Sequence, residues 1–143
     1  MSDLDIAKST LYKKELTLTI VKNGKVLFET DSHRISGFLA AIEQLGARLE
    51  GASVADRVAG KAVALVCVYA KISSVYAEVL SRKAKAVFEE NGIRHEWKTL
   101  VDNILDLNQS EMCPFEKAAA DISDPEVAFK AFKVLQASFK ACK

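Results

Sequence analysis

Ala59 to Ala70, AGKAVALVCVYA, is the stretch whose reading decides the fold. After Lys61 it holds no charged residue, so nothing from Ala62 to Ala70 gains from contact with water. A segment apolar on every side belongs in the middle of a domain, covered all round. Its valines suit a buried parallel strand, and its alanines and leucine suit a buried helix. The pattern by itself leaves both open.

Toward the C-terminus, Val75 to Leu80 (VYAEVL) reads as a short strand. Ser81 then caps a helix through Asn91 that Gly92 closes, with Ala84, Val87 and Phe88 facing inward. Arg94 to Val101 follows as another strand. Strand, helix and strand from Val75 to Val101 make a βαβ crossover, which predicts an α/β fold: three layers, a mixed sheet covered by helices on both faces. Asp102 to Met112 has no clear pattern and reads as a loop. Pro114 opens a helix to about Ile122. Ser123, Pro125 and Glu126 form a proline-assisted capping box for a last helix over 124–141. Its buried stripe is Phe129, Phe132, Leu135 and Phe139, with Lys130, Lys133 and Lys140 in water.

Toward the N-terminus, Ala52 to Arg57 reads as a polar, small-residue connection. Ser36 caps a helix to about Glu50, with Leu39, Ile42, Leu45 and Leu49 at helical spacing and Gly51 just past its end. Glu15 to Asp31 is a β-hairpin: Leu16, Leu18 and Ile20 alternate with Thr17, Thr19 and Val21, and Asn23-Gly24 supplies the two positive-φ positions of a type I′ turn. Residues 1–14 read as a polar lead-in open to fraying.

At 143 residues, half of them hydrophobic and 27% charged, the chain is expected to be a single domain over 1–143. Twenty basic residues against nineteen acidic ones leave a net charge of +1, so there is no bulk attraction for nucleic acid or an anionic membrane. The longest uncharged run is far below the 18 or so residues of a membrane span. The opening MSDLDIAKST has acids and no apolar core, unlike a signal peptide. The three cysteines, Cys67, Cys113 and Cys142, form no C-x-x-C pair and point to reduced thiols in the cytoplasm. Two histidines far apart, His33 and His95, argue against a histidine-rich metal site.

The order hairpin, buried helix, strand, helix, parallel strand resembles the cytidine-deaminase-like fold. More closely, LEGASVADRVAGKAVAL (49–65), VYAEVLS (75–81) and MCPFEKA (112–118) resemble a small prokaryotic family of unknown function, a divergent member of that fold. The resemblance runs from about Leu16 to the final helix. It implies that Ala62 to Ala70 is the central helix, and that the protein is a homo-oligomer, as deaminase-like folds commonly are. Zinc deaminases carry a His- or Cys-x-Glu at the start of that helix and a Pro-Cys-x-x-Cys at the start of the next. Here the first motif falls near Gly60-Lys61-Ala62 and the second near Leu80-Ser81-Arg82-Lys83-Ala84. Neither place holds a thiolate, an imidazole or the proton-shuttling glutamate, so no metal, no cofactor and no deaminase chemistry are expected.

Two places could still carry chemistry. Lys61 opens a buried helix beside Gly60, four residues after Arg57; with free N–H groups and a glycine that lets a ligand approach, this predicts an anion site. The candidate ligand-binding residues are Arg57, Gly60, Lys61 and Ser81. The plainer alternative is that Gly60 serves packing and Lys61 reaches solvent. In Cys113-Pro114-Phe115-Glu116 a thiol stands at an N-cap, which makes Cys113 the candidate nucleophile or else simply a small cap. Cys67 reads as core, Cys142 as exposed, Trp97 as packed on a helix and His33 as facing water.

Three functions follow. The first, and the one favoured, is a zinc-free binding or regulatory domain for a small anionic or nucleotide-like ligand. The others are a thiol enzyme using Cys113 and a structural or oligomerisation module.

Overall fold

The computed structural model describes residues 2–32, 35–104 and 113–141, with the side chains of 139–141 excepted. His33, Cys142 and most of the loop after Val101 therefore lie outside the described residues, as does the side chain of Phe139.

Where the sequence suggests a polar lead-in, Asp3–Lys13 form a helix. Ser2 caps the helix α1 (Asp3–Lys13): its hydroxyl accepts from the Asp5 N–H and the Asp5 carboxylate accepts from the Ser2 N–H, a reciprocal capping box. Leu4, Ala7 and Leu11 form its buried stripe. The hairpin follows as β1 (Leu18–Lys22) and β2 (Lys25–Thr30), with Asn23 at φ 53° and Gly24 at φ 77°, as a type I′ turn requires. Asp3 ties α1 to this turn, accepting from the N–H groups of Asn23 and Gly24 at 2.9 and 2.8 Å.

α2 (Ser36–Leu45) is shorter than its periodicity predicts. Gly46, at φ 51°, ends it, and a 3₁₀ turn carries Leu49 into the core. The segment read as a connection is instead a central strand, β3 (Ser53–Ala59). Then come α3 (Lys61–Tyr69), β4 (Ser74–Ser81), α4 (Arg82–Glu90), β5 (Arg94–Val101), α5 (Pro114–Ala119) and α6 (Pro125–Ala141). The ambiguous apolar stretch is thus a helix. At the start of α6 it is Asp124, not Ser123, that accepts from the N–H groups of Glu126 and Val127.

The five strands are ordered β2-β1-β3-β4-β5, with the β1 pairings antiparallel and β3-β4-β5 parallel. α3 and α4 form the two crossovers and pack against each other on one face, where α2, α5 and α6 complete a single core with Val54, Val75 and Ala77 of the sheet. The other face is covered by α1, which packs Leu4, Ala7 and Leu11 on Val21, Ala55 and Tyr76. The mixed sheet with helices on both faces is the architecture the sequence predicts. Its consequence for function is that the first turns of α3 and α4 lie side by side at the carboxyl ends of β3 and β4, where open α/β sheets place their ligands.

Candidate functional site

Gly60 is the N-cap of α3, and no side chain of its own satisfies the helix's first N–H groups. They are satisfied from 55 residues away in sequence. The Glu116 carboxylate accepts from the Lys61 N–H at 2.9 Å through Oε1 and from the Ala62 N–H at 2.7 Å through Oε2. A Cβ built on Gly60 would stand 2.3 Å from Glu116 Oε1, so the glycine is what admits the carboxylate. Lys61 Nζ donates to the Ala120 carbonyl at 3.1 Å, so both ends of α5 are tied to the start of α3. Phe115 anchors α5 further, meeting Phe132 of α6 edge-on at 6.0 Å.

Glu116 is only 8% exposed. Burial pushes its carboxyl above the ordinary range, opposed by the N–H groups of Ala62 and Lys61 and by the ammonium groups of Lys83 and Lys61. Lys83 stands in the first turn of α4, whose N-cap Ser81 is buried and accepts from the Ala84 N–H at 3.0 Å. Glu116 therefore lies within electrostatic reach of the first turns of both α3 and α4. Between the same two helices opens a cleft of about 470 Å³ walled by Lys61 and Leu65 of α3, Lys83, Val87 and Glu90 of α4, and Ser123 of the α5–α6 connection.

The sequence-predicted residues are not all brought together. Gly60, Lys61 and Ser81 stand around the two helix starts, but Ser81 spends its hydroxyl on capping. Arg57 belongs elsewhere. Its side chain runs to the α1 face of the sheet, donates to the carbonyls of Leu16 (2.8 Å) and Leu11 (3.3 Å), pairs with Glu78 at 3.1 Å and lies over the Tyr12 ring at 4.7 Å. The reason is strand alternation: on β3, Arg57 shares the face of Ala55, not of Val54. Tyr12, hydrogen-bonded to Tyr76 at 2.6 Å, has its hydroxyl pKa raised by burial and by that bond.

Cys113 is the N-cap residue of α5, as read, but its thiol makes no capping bond; its backbone accepts from Lys117 and donates to Ile104. It packs half-buried against the main core and does not line the cleft. Cys67 is fully buried, and burial pushes its thiol up. Trp97 is 38% exposed, stacked on His95 and approached by Lys85 of α4. Among the described residues, no three His, Cys, Asp or Glu side chains group closely enough to hold a metal, and no helix is long and apolar enough to cross a membrane. What sequence reasoning missed is Glu116, noted only as a charge beside Cys113, and Lys83, noted only as occupying a lost ligand position. The glycine at the start of α3 was the one available signal that something approaches there.

Among curated proteins, none matches the sequence. The cyanophage S-TIM5 dCMP deaminase in its apo form shares 13% identity and a TM-score of 0.53 over 65% of this chain and 97% of that one, a likeness of fold alone. That likeness makes the fold cytidine-deaminase-like. The DUF1893 family protein TM1506 from Thermotoga maritima superposes with a TM-score of 0.84 at 26% identity, covering 94% of this chain and 90% of that one. A family model described as TM1506, domain of unknown function (DUF1893), matches residues 6–135, and the chain belongs to that family.

Proposed function

We propose that this protein is a zinc-free domain that binds a small anionic or nucleotide-like ligand, without deaminase chemistry. The observation that carries the reading is the cleft between α3 and α4, lined by Lys61 from one helix and Lys83 from the other, with the Lys61 ammonium donating to the carbonyl of Ala120, which also lines it. The cationic pair is Lys61 with Lys83, in place of Lys61 with Arg57. Two ammonium groups, the Ser123 hydroxyl and the apolar flank of Leu65 and Val87 suit a phosphate-bearing molecule with an apolar body. The absence of zinc chemistry is supported by the donors at hand. The first turns of α3 and α4 offer Lys61, Ala62, Arg82 and Lys83, and the Glu116 carboxylate that meets them has given both oxygens to backbone N–H groups.

The test is isothermal titration against a panel of nucleoside mono- and diphosphates at low and high salt. Lys61→Ala and Lys83→Ala should each weaken binding about tenfold or more, and added salt should weaken it further. Arg57→Ala should leave it unchanged. A panel in which nothing binds, or in which the two lysine variants bind as the unaltered protein does, would overturn the reading.

A further inference from the structure

Glu116 is not part of the cleft's lining, but its carboxylate holds the backbone N–H of Lys61, a residue that is. The charged groups that face it are Lys61 from α3 and Lys83 from α4, the same two ammonium groups that wall the cleft. On its other sides it meets the backbone N–H groups of Lys61 and Ala62 and the bare Cα of Gly60. A carboxylate in that position already occupies part of the field that an incoming anion would use, and at short range through a partly desolvated medium it repels that anion.

We propose that Glu116 is a built-in competitor for the anion site of the Lys61–Lys83 cleft, so that an anion binds there together with a proton taken up by Glu116. The inference rests on the reading of the cleft given above. Thermodynamic reciprocity fixes its form: if protonation of Glu116 strengthens anion binding, a bound anion strengthens protonation of Glu116 by the same factor. The balance is simple: the proton comes from solvent onto a Glu116 oxygen, up to about half a proton for each anion bound when the coupling is about tenfold, with no bond in the ligand made or broken. Burial has already moved this carboxyl upward, in the direction that favours uptake of the proton. The neutral carboxyl can keep one of its two N–H contacts through its carbonyl oxygen, so the start of α3 remains capped in either state.

Sulfate is the suitable probe, because it stays doubly charged between pH 5 and 7.5. Backbone amide shifts of Lys61 and Lys83 report whether it enters the cleft, and the side-chain carboxyl ¹³C shift of Glu116 reports that group's titration with and without sulfate. We expect sulfate affinity to rise as the pH falls through the Glu116 titration, by up to about tenfold in all, and saturating sulfate to move that titration upward by about one pH unit. Glu116→Gln should bind sulfate with an affinity that no longer follows pH; the carboxyl titration needs no variant and stands if this one folds poorly. Sulfate that binds while the Glu116 titration stays in place overturns the coupling and leaves the cleft reading intact. Sulfate that shifts neither amide overturns both.

Discussion

Gly60 has no side chain because Glu116 stands where its Cβ would be. Its φ of −99° is open to any residue, so an alanine there meets no backbone strain and the whole penalty comes from expelling the carboxylate. Gly60→Ala should therefore destabilise the fold by about 2 kcal/mol, the loss of two charge-assisted hydrogen bonds less the small gain from a stiffer unfolded chain. In a Glu116→Ala background the same change should become neutral or stabilising by about 0.5 kcal/mol. Urea unfolding of the four proteins gives the cycle, and equal costs in both backgrounds would refute the contact. The sequence could not display this pairing. A helix start with a glycine and a lysine looks like an open anion site, and the carboxylate that fills it comes from a helix that only the tertiary fold brings near. Lys61 was legible from its place in the chain, whereas Lys83 joined it only once β3 and β4 were seen to run side by side.

At the scale of the element, Arg57 does for α1 what Glu116 does for α3. Its guanidinium donates to the Leu11 carbonyl near the C-terminus of α1 and to the Leu16 carbonyl in the link to β1, where a cation also complements the helix dipole. Arg57→Ala should cost about 2–3 kcal/mol in urea unfolding, and Arg57→Lys should recover only part of it, because a lone ammonium cannot reproduce the planar fork. The loosened end of α1 should also be cut sooner by trypsin at Lys13 and Lys14; unchanged stability and cleavage would remove Arg57 from this role. The hairpin, α4 and β5 were legible because their signals are local: an Asn-Gly turn, a serine cap, an amphipathic stripe. β3 was not, because Asp56 and Arg57 in mid-strand look like a surface connection when neither face of the strand is known. α1 was not either, because its stripe of Leu4, Ala7 and Leu11 is narrow and its capping box uses Asp5 in place of the usual Glu or Gln.

Across the whole molecule, stability should depend on pH through Asp56, which sits mid-strand between Leu18 of β1 and Ala77 of β4 and on the face that lies under α3. Burial raises its carboxyl to about 7, opposed by the N–H groups of Val58, at 3.1 Å, and Arg57. A carboxyl whose folded value lies above its unfolded value near 3.8 makes ionisation costly to the fold. The cost is absent below about pH 4, grows between 4 and 7, and is complete above 7. Glu116, also raised, acts in the same direction. A shift of this size corresponds to about 4 kcal/mol for a fully buried group, but Asp56 keeps some contact with water, so roughly half of that is expected. The protein should thus lose about 1.4 kcal/mol between pH 5 and 8, since the part of the cost below pH 5 is already present there, against the usual trend for proteins whose carboxylates are held by salt bridges. Asp56→Asn keeps an oxygen for the Val58 N–H and removes the charge, so it should be more stable than the unaltered chain at pH 8, with the difference shrinking to a minor part of that at pH 5. Urea midpoints at the two pH values decide it. Equal slopes with pH for both proteins would mean that the Asp56 carboxylate is solvated in the fold after all.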